Sequence, residues 1–570
     1  MQMSATSTEP DLPETTALAS SSPSQRPQEW DVKVDFLIAG SGGAGLSAAL
    51  KASRLGLVTL VVEGSKLWGG TTAYSAGGVW VPNNPLMREA GVEDSIETAM
   101  TYIQNVVGEP SPESTIAKRQ AYVRAGAEMV KEFRESGFRW HMAEGFPDYH
   151  AYEGSRIGRH LTGEIFDLNK LGPWRDTMRV RPHHPELPAY LDESARMLNA
   201  TRTRKGFTTL VKVVSRMLWA RLRGAKLASM GMAIPSRLLY VLQQFGVPIW
   251  RNTQVTGLIT DQGRVVGASV SRDGRPLRIQ ATRGVLLALG GFARNDALRR
   301  QYGQASSKFT MANPDDQGTG IQLGQSVGAE VAHMNGRWGV PMMFPPGDNP
   351  VFNVWERASP HSIMVNKAGK RFTNEAGCYQ DVANDMDDLG HNPCWLIFDA
   401  SHRKKYAFGD AMPGFTPKRY FEENFMIKTD SLVELANKCE VDAAQLRATV
   451  ARFNEFAVSG IDEDFRRGEN PYDRYYADPT HHPNNCIGKI EKPPFYAVRL
   501  YVGDVGTKGG LRVDEHWRVL RKGGKPIPGL YAAGNTTSTL FGRRYPGPGS
   551  TIGPAMIGGF IAASHAGQIA

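Results

Sequence analysis

Apolar residues in this chain gather into short continuous runs that end in glycine, separated by longer stretches of mixed polarity. The first run, Val34-Asp35-Phe36-Leu37-Ile38-Ala39, is mostly apolar without alternating, as suits a strand covered on both faces of a parallel sheet. Ala44 to Leu55 reads as a helix and Val58-Thr59-Leu60-Val61-Val62 as the next strand. Strand, Gly-rich turn, helix and strand then fit within about 30 residues, a βαβ unit. Further strands are expected near Ile249–Ile259 and Val265–Val270, and Gly284-Val285-Leu286-Leu287-Ala288 is another apolar strand closing on Gly290-Gly291. Lys212 to Arg223 reads as a helix with arginines and apolar residues on different faces. Its plain reading is a surface helix packed on the core; the sharper one is peripheral contact with a membrane, from which an apolar substrate enters.

The turn after the first strand, Gly40-Ser41-Gly42-Gly43-Ala44-Gly45, fits G-x-G-x-x-G in the context that gives this motif meaning. Gly40 permits the tight turn, Gly42 lets backbone approach a pyrophosphate, and Gly45 allows close helix packing. The helix N-terminus offers unpaired N–H groups to the phosphates, and Glu63, ending the second strand, can accept from ribose hydroxyls. FAD is favoured over NAD by the small-residue run Trp68-Gly69-Gly70-Thr71-Thr72-Ala73-Tyr74-Ser75-Ala76-Gly77-Gly78, along which an extended cofactor can pass. Gly529-Leu530-Tyr531-Ala532-Ala533-Gly534-Asn535 and Ala288-Leu289-Gly290-Gly291 resemble the later glycine motifs of two-dinucleotide flavoproteins. No second G-x-G-x-x-G follows an expected strand, which argues against a separate nicotinamide site. The run after Gly69 holds no histidine, so the flavin is expected to be held non-covalently.

At 570 residues the chain exceeds what one core ordinarily serves. Pro, Asp and aromatic residues become more frequent after about Glu330 and remain so to about Cys486; the strand-and-glycine style returns from Phe495. The expected architecture is α/β: a Rossmann-type FAD-binding domain over 30–333 and 486–570, interrupted by a smaller α+β catalytic or substrate domain over 334–485. Residues 1–29, rich in Ser, Thr, Pro and Glu, read as a disordered tail rather than a signal peptide. The net charge of +9 arises from 66 basic residues interspersed with 57 acidic ones, without an RNP, zinc-finger or basic-zipper pattern, so nucleic acid is not an expected partner. Cys378, Cys394, Cys439 and Cys486 show no metal-ligand spacing and read as free thiols in a reducing compartment. With no apolar run long enough to span a bilayer, a cytoplasmic location is expected, with or without membrane association.

With Gly69-Gly70-Thr71 and Ala288-Leu289-Gly290-Gly291 in place, the chain resembles the fumarate reductase and succinate dehydrogenase flavoprotein superfamily, and within it the 3-ketosteroid Δ1-dehydrogenases. The resemblance runs from about Val34 to Ala563. It is carried by Phe146-Pro147-Asp148-Tyr149, Arg371-Phe372-Thr373-Asn374-Glu375, Arg467-Gly468-Glu469-Asn470-Pro471-Tyr472-Asp473, Gly506-Thr507-Lys508-Gly509-Gly510-Leu511 and, most specifically, Tyr545-Pro546-Gly547-Pro548-Gly549 followed by Ile552-Gly553-Pro554-Ala555-Met556. It implies removal of two hydrogens beside the 3-keto group of a steroid. Tyr379 would take the C2 proton, Tyr149 would hydrogen-bond Tyr379 and favour its phenolate, Tyr545 and the Gly549 N–H would hold the keto oxygen, and FAD N5 would accept the hydride from C1. Val255 and Ile552 complete the implied cofactor contacts, and an external acceptor such as a quinone would reoxidise the flavin.

The chemistry makes sense of such a set. A C–H beside a carbonyl becomes acidic only when the developing enolate oxygen is stabilised, and two donors in a dry site supply this. A tyrosine, ordinarily with a pKa of about 10, needs its phenolate stabilised to act near neutrality. Glycine at 549 would let the ketone approach the backbone. The same residues would serve another cyclic ketone of the cyclohexanone type or a different A-ring bond. His333, His361 and Arg371 are present, but no dicarboxylate clamp is evident, so fumarate reduction is a poor reading. Tyr74, Tyr475, Tyr476 and Tyr531 read as structural.

Overall fold

The computed structural model describes residues 29–181, 187–347 and 349–569. The tail expected at 1–29 therefore lies, apart from Glu29, outside the described residues. The fold is α/β. Its main sheet has eight strands; six follow the order Arg518–Leu520, Pro526–Ala532, Arg275–Leu287, Val32–Ala39, Thr59–Val62 and Ile249–Trp250. The central pairings are parallel: Ile38 faces Leu286 on one side and Val61 on the other, and Val285 faces Leu530. Phe36, Leu37, Ile38, Leu286 and Leu530 are fully buried, which is why these runs are continuous and not alternating. The expected strand at Ile249–Ile259 divides at Asn252 into Ile249–Trp250 and Thr253–Asp261; the latter joins Arg264–Arg272 in an antiparallel extension of the sheet.

Parallel pairing sets the place of the site. Val32–Ala39, Arg275–Leu287 and Pro526–Ala532 are neighbours running the same way, so the turns that follow them, at Gly40, Ala288–Gly290 and Ala533–Gly534, meet at one edge. The contact is close: a Cβ on Gly40, where φ is +107°, would lie 2.3 Å from the Ala288 carbonyl oxygen. The helix Gly43–Arg54 packs on the C-terminal helix Ile552–Gln568, with Gly559 admitting the Ala44 carbonyl and Ser47 Oγ donating to the Met556 carbonyl at 2.7 Å.

A second, antiparallel sheet comprises Val351–Phe352, Arg337–Met343, Phe495–Thr507, Cys394–Phe398, Ser362–Val365 and Met426–Thr429. Its longest strand, Phe495–Thr507, pairs with three others and so carries this sheet past 485, beyond the boundary expected from composition. Composition misleads there because a buried central strand looks alike in either sheet. The four cysteines are buried and unpaired.

Two of the shared sequence stretches turn out to be joined internally. Arg371 pairs with Glu375 at 2.8 Å and Asp462 at 2.7 Å, and Arg467 reaches Glu375 at 3.3 Å, all with buried side chains. Arg371 holds both carboxyls below the usual carboxylate range despite their burial. Asn374 Nδ2 donates to Asp473, and Asn470 Nδ2 donates to the Tyr149 carbonyl at 2.8 Å, so the segment leading into the helix Tyr379–Asp388 is tied to the backbone of Tyr149. Removing Arg371 leaves the two buried carboxylates with Arg467 as their remaining cation. We expect Arg371→Met to cost about 3–5 kcal/mol, read as a lowered midpoint in thermal or urea unfolding; an unchanged midpoint would show that the cluster contributes nothing.

Candidate active site

The turns at the sheet edge open into a cavity of about 530 Å³. Its wall takes in every residue of the expected cofactor set except Gly45, Gly69 and Gly291, and it takes in all four residues expected to act on substrate. The three exceptions stand one layer behind. A Cβ on Gly45 would lie 1.9 Å from the Gly40 carbonyl oxygen, Gly69 N donates to Ser41 Oγ at 3.2 Å, and Gly291 N donates to Asp316 Oδ1 at 2.6 Å.

The groove fits an anionic dinucleotide. Glu63 accepts from the Ser41 amide at 3.0 Å and the Ser41 hydroxyl at 2.6 Å, fixing the glycine turn and its own carboxylate together. Thr72 Oγ1 accepts from Gly43 N at 3.0 Å. Of the amides at the start of that helix, those of Ala44 and Gly45 remain without a partner among the described residues, so the helix end offers fewer free donors than the motif alone implies. Gly42 differs from Gly40 and Gly45: a Cβ there would come no nearer than 3.8 Å to any protein atom. The fold does not require glycine at 42, whereas a cofactor lying in the groove does. Asp316, which no sequence motif marked, also lines the groove. Burial raises its carboxyl to about 6 against the pull of the Gly291 and Ala293 amides.

Beyond the groove three tyrosines form a cluster. The ring of Tyr379 lies 5.4 Å from Tyr149 and 5.2 Å from Tyr545, edge to face, and Tyr149 stacks on Tyr545 at 5.5 Å. The Tyr149 hydroxyl donates to the Tyr379 hydroxyl at 3.4 Å. Tyr379 is the first residue of the helix Tyr379–Asp388, which is seated on Gly339 through its Gln380 side chain (3.0 Å). The Tyr149 amide donates to the Pro546 carbonyl at 3.0 Å, and Tyr102 donates to the same oxygen at 2.5 Å, so the Tyr149 segment and the Tyr545–Gly549 loop are fastened together. Trp80 Nε1 and Arg159 hold Asp148, each at 2.7 Å, beside them.

Gly549 is glycine for a reason the sequence reading did not reach. At φ +100° its Cβ would fall 2.4 Å from the carbonyl carbon of Gly78 and 2.5 Å from the amide nitrogen of Val79. The neighbouring backbone excludes a side chain whether or not a ketone is present. His160, also missed, lines the cavity, and its Nδ1 lies 2.9 Å from the Pro548 carbonyl. Burial pulls His160 down to about 4, so it is neutral and Nδ1 must carry the proton it donates. Because C=O and N–H point oppositely across a trans peptide, fixing the Pro548 oxygen aims the Gly549 N–H the other way, towards the Tyr545 hydroxyl, whose phenolate it favours.

Burial nevertheless raises all three tyrosines, Tyr149 and Tyr379 well above 10. In the case of Tyr379, burial outweighs the hydrogen bond from Tyr149, and its hydroxyl is further drawn on as a donor by Tyr545. The protein alone therefore does not make Tyr379 a phenolate near neutrality. Arg371, His333 and His361 are absent from the cavity wall: Arg371 serves its internal ion pairs, His361 Nδ1 meets the Lys489 carbonyl, and His333 lies near Glu113. Tyr74 and Tyr476, expected to be structural, do line the cavity.

Fold and site together define a flavin oxidoreductase, and the chain belongs to the FAD binding domain family, whose model matches residues 35–552. Within it, the chain is 39% identical over 560 residues to the 3-oxosteroid 1-dehydrogenase of Mycolicibacterium smegmatis, covering 94% of this chain and 97% of that one. It is 34% identical to the 4-oxocyclohexanecarboxylate 2-dehydrogenase of Sinomonas cyclohexanicum, over 94% of this chain and 93% of that one. Among solved structures, the 3-ketosteroid Δ1-dehydrogenase of Sterolibacterium denitrificans, in complex with 1,4-androstadiene-3,17-dione, matches with a TM-score of 0.88 at 34% identity, covering 94% of this chain and 99% of that one. The protein is accordingly an FAD-dependent oxidoreductase acting on CH–CH groups, of the class of 3-ketosteroid and related cyclic-ketone dehydrogenases.

The two kinds of glycine separate by experiment. Gly42→Ala is expected to fold with an unaltered circular dichroism spectrum but to lose FAD on gel filtration, whereas Gly45→Ala is expected to fail to fold. Retention of stoichiometric FAD by Gly42→Ala would refute the cradle.

Proposed function

We propose that the protein introduces the C1–C2 double bond into 3-ketosteroids, with FAD held non-covalently along the glycine groove. The observation that carries this reading is the convergence of Tyr149, Tyr379, Tyr545 and Gly549 on one cavity continuous with that groove. The names of the relatives support it, as does the 3-keto-1,4-diene in the Sterolibacterium structure. A ketone oxygen that displaces the contact between the Gly549 N–H and the Tyr545 hydroxyl would accept from both, which lowers the cost of enolate formation. Tyr379, acting as a phenolate with Tyr149 donating to its oxygen, takes the proton from C2. Bound FAD supplies the acceptor for the hydride that leaves C1. A quinone-type acceptor is the natural reoxidant for a chain with a single dinucleotide fingerprint.

A smaller cyclic ketone is the second reading, favoured by the likeness to the Sinomonas 4-oxocyclohexanecarboxylate 2-dehydrogenase. It would use the same four residues, since they address only the ketone and its neighbouring carbons.

Peripheral membrane attachment is proposed for the helix Arg204–Leu222. Arg216, one of the cations that prompted this idea, is in fact paired with Glu193 at 2.7 Å and anchors the helix to Leu191–Met197. What supports attachment is the outer face, where Phe207, Val211, Leu218, Trp219 and Leu222 are more than half exposed, with Arg223 over the Trp219 ring at 4.2 Å. Among the described residues no helix is long and apolar enough to cross a membrane.

Tyr379→Phe keeps the ring but removes the base. It is expected to retain FAD and lower kcat for androst-4-ene-3,17-dione by about 10²–10⁴-fold; activity within a few-fold of the parent would remove Tyr379 from the mechanism. Sedimentation with vesicles containing anionic lipid at low salt should carry the protein down, and replacing Leu218, Trp219 and Leu222 together by Ser should leave it in the supernatant. A parent protein that stays in the supernatant at low salt would dispose of the attachment.

A further inference from the structure

Two arginines line the cavity, and only one of them is accounted for. Arg179 is buried and its guanidinium is paired with Asp315. Arg181, half-buried two residues on, has no carboxylate within pairing distance among the described residues. Its Nη2 faces Met311 Sδ at 3.7 Å, a weak acceptor, and its guanidinium carbon lies 5.8 Å from the Phe352 ring centroid. Burial draws it down to about 10, with the Tyr74 phenol as its electrostatic neighbour, so it remains a cation at neutral pH. A charge held in apolar surroundings with no counter-ion among the described residues is costly, and a planar guanidinium is well suited to take a carboxylate through two parallel hydrogen bonds.

The position of the cation says which part of a ligand it meets. Met311 and Phe352 belong to one apolar cluster with Val340 and Val354, against which Tyr379 packs. Arg181 thus adjoins the apolar wall that begins at the reacting end, yet none of its contacts is with Tyr149, Tyr545 or Gly549. We infer that Arg181 binds a carboxylate carried by the substrate at the end remote from its ketone, so that keto acids are preferred to neutral ketones of the same skeleton. This rests on the cavity being the ketone site proposed above, and it adds the chemistry of the other end.

The test uses the FAD-loaded full-length enzyme with 3-oxochol-4-en-24-oic acid, its methyl ester and androst-4-ene-3,17-dione. Arg181→Met should raise KM for the acid by about 10-fold or more, the size of one charge-assisted hydrogen bond. KM for the ester, kcat for all three ketones and the FAD content should stay as in the parent. Arg181→Lys, which keeps the charge and loses the fork, should fall between. Parallel changes on acid and ester, or no change on either, would overturn the inference while leaving the dehydrogenase reading intact. Loss of FAD from Arg181→Met would overturn it by assigning the cation to the cofactor. A parent enzyme that turns over none of the three ketones would instead remove the dehydrogenase reading, and this inference with it.

Discussion

The site depends on a backbone-to-backbone contact. Gly549 lies against Gly78 and Val79 so closely that no side chain fits between them, and this contact brings the end of the small-residue run beside the Tyr545–Gly549 loop. One element lines the glycine groove and the other carries Tyr545 and Gly549, the donors proposed to face the ketone. Their distance is therefore set by main-chain packing, which is stiffer than any side-chain arrangement. His160 adds direction to that contact by holding the Pro548 carbonyl, and Tyr149 and Tyr102 hold the Pro546 carbonyl of the same loop.

The remaining framework can be understood as support for that junction. Parallel strands collect three glycine turns at one edge of the main sheet, and the antiparallel sheet presents the helix headed by Tyr379 from the other side. The buried cluster of Arg371, Glu375, Asp462 and Arg467 then ties the approach to Tyr379 to the stretch that holds Tyr149. Conformational freedom at any of these joints would separate Tyr545 and Gly549 from Tyr379, and buried ion pairs resist such freedom even where their net contribution to stability is small.

Much of this was legible in the sequence because glycine spacing and continuous apolar runs report directly on backbone geometry. The βαβ unit, the FAD groove and the α/β class followed from residues 34–78 and their later glycine partners. The tyrosines came from resemblance, since three separate Tyr residues carry no local signal of convergence. Asp316, His160 and Arg181 had no motif to mark them: each acquires its meaning only from what the fold sets opposite it. The strand Phe495–Thr507, expected in the second part of the FAD-binding domain, pairs in the antiparallel sheet, because burial on both faces erases the difference between parallel and antiparallel neighbours. Gly549 was marked on account of the ketone, whereas the Gly78 and Val79 backbone by itself excludes a side chain there.

We propose that a ketone held by Tyr545 and Gly549 becomes acid enough for Tyr379, acting as a phenolate, to take its C2 proton and end neutral while hydride passes to the flavin. The most direct measurement is anaerobic titration of the FAD-loaded protein with androst-4-ene-3,17-dione, following flavin absorbance and identifying the steroid formed. We expect bleaching that is complete near one equivalent, with androsta-1,4-diene-3,17-dione as product. A flavin that stays oxidised in the presence of this ketone, or one reduced with a double bond appearing elsewhere in the steroid, would contradict it.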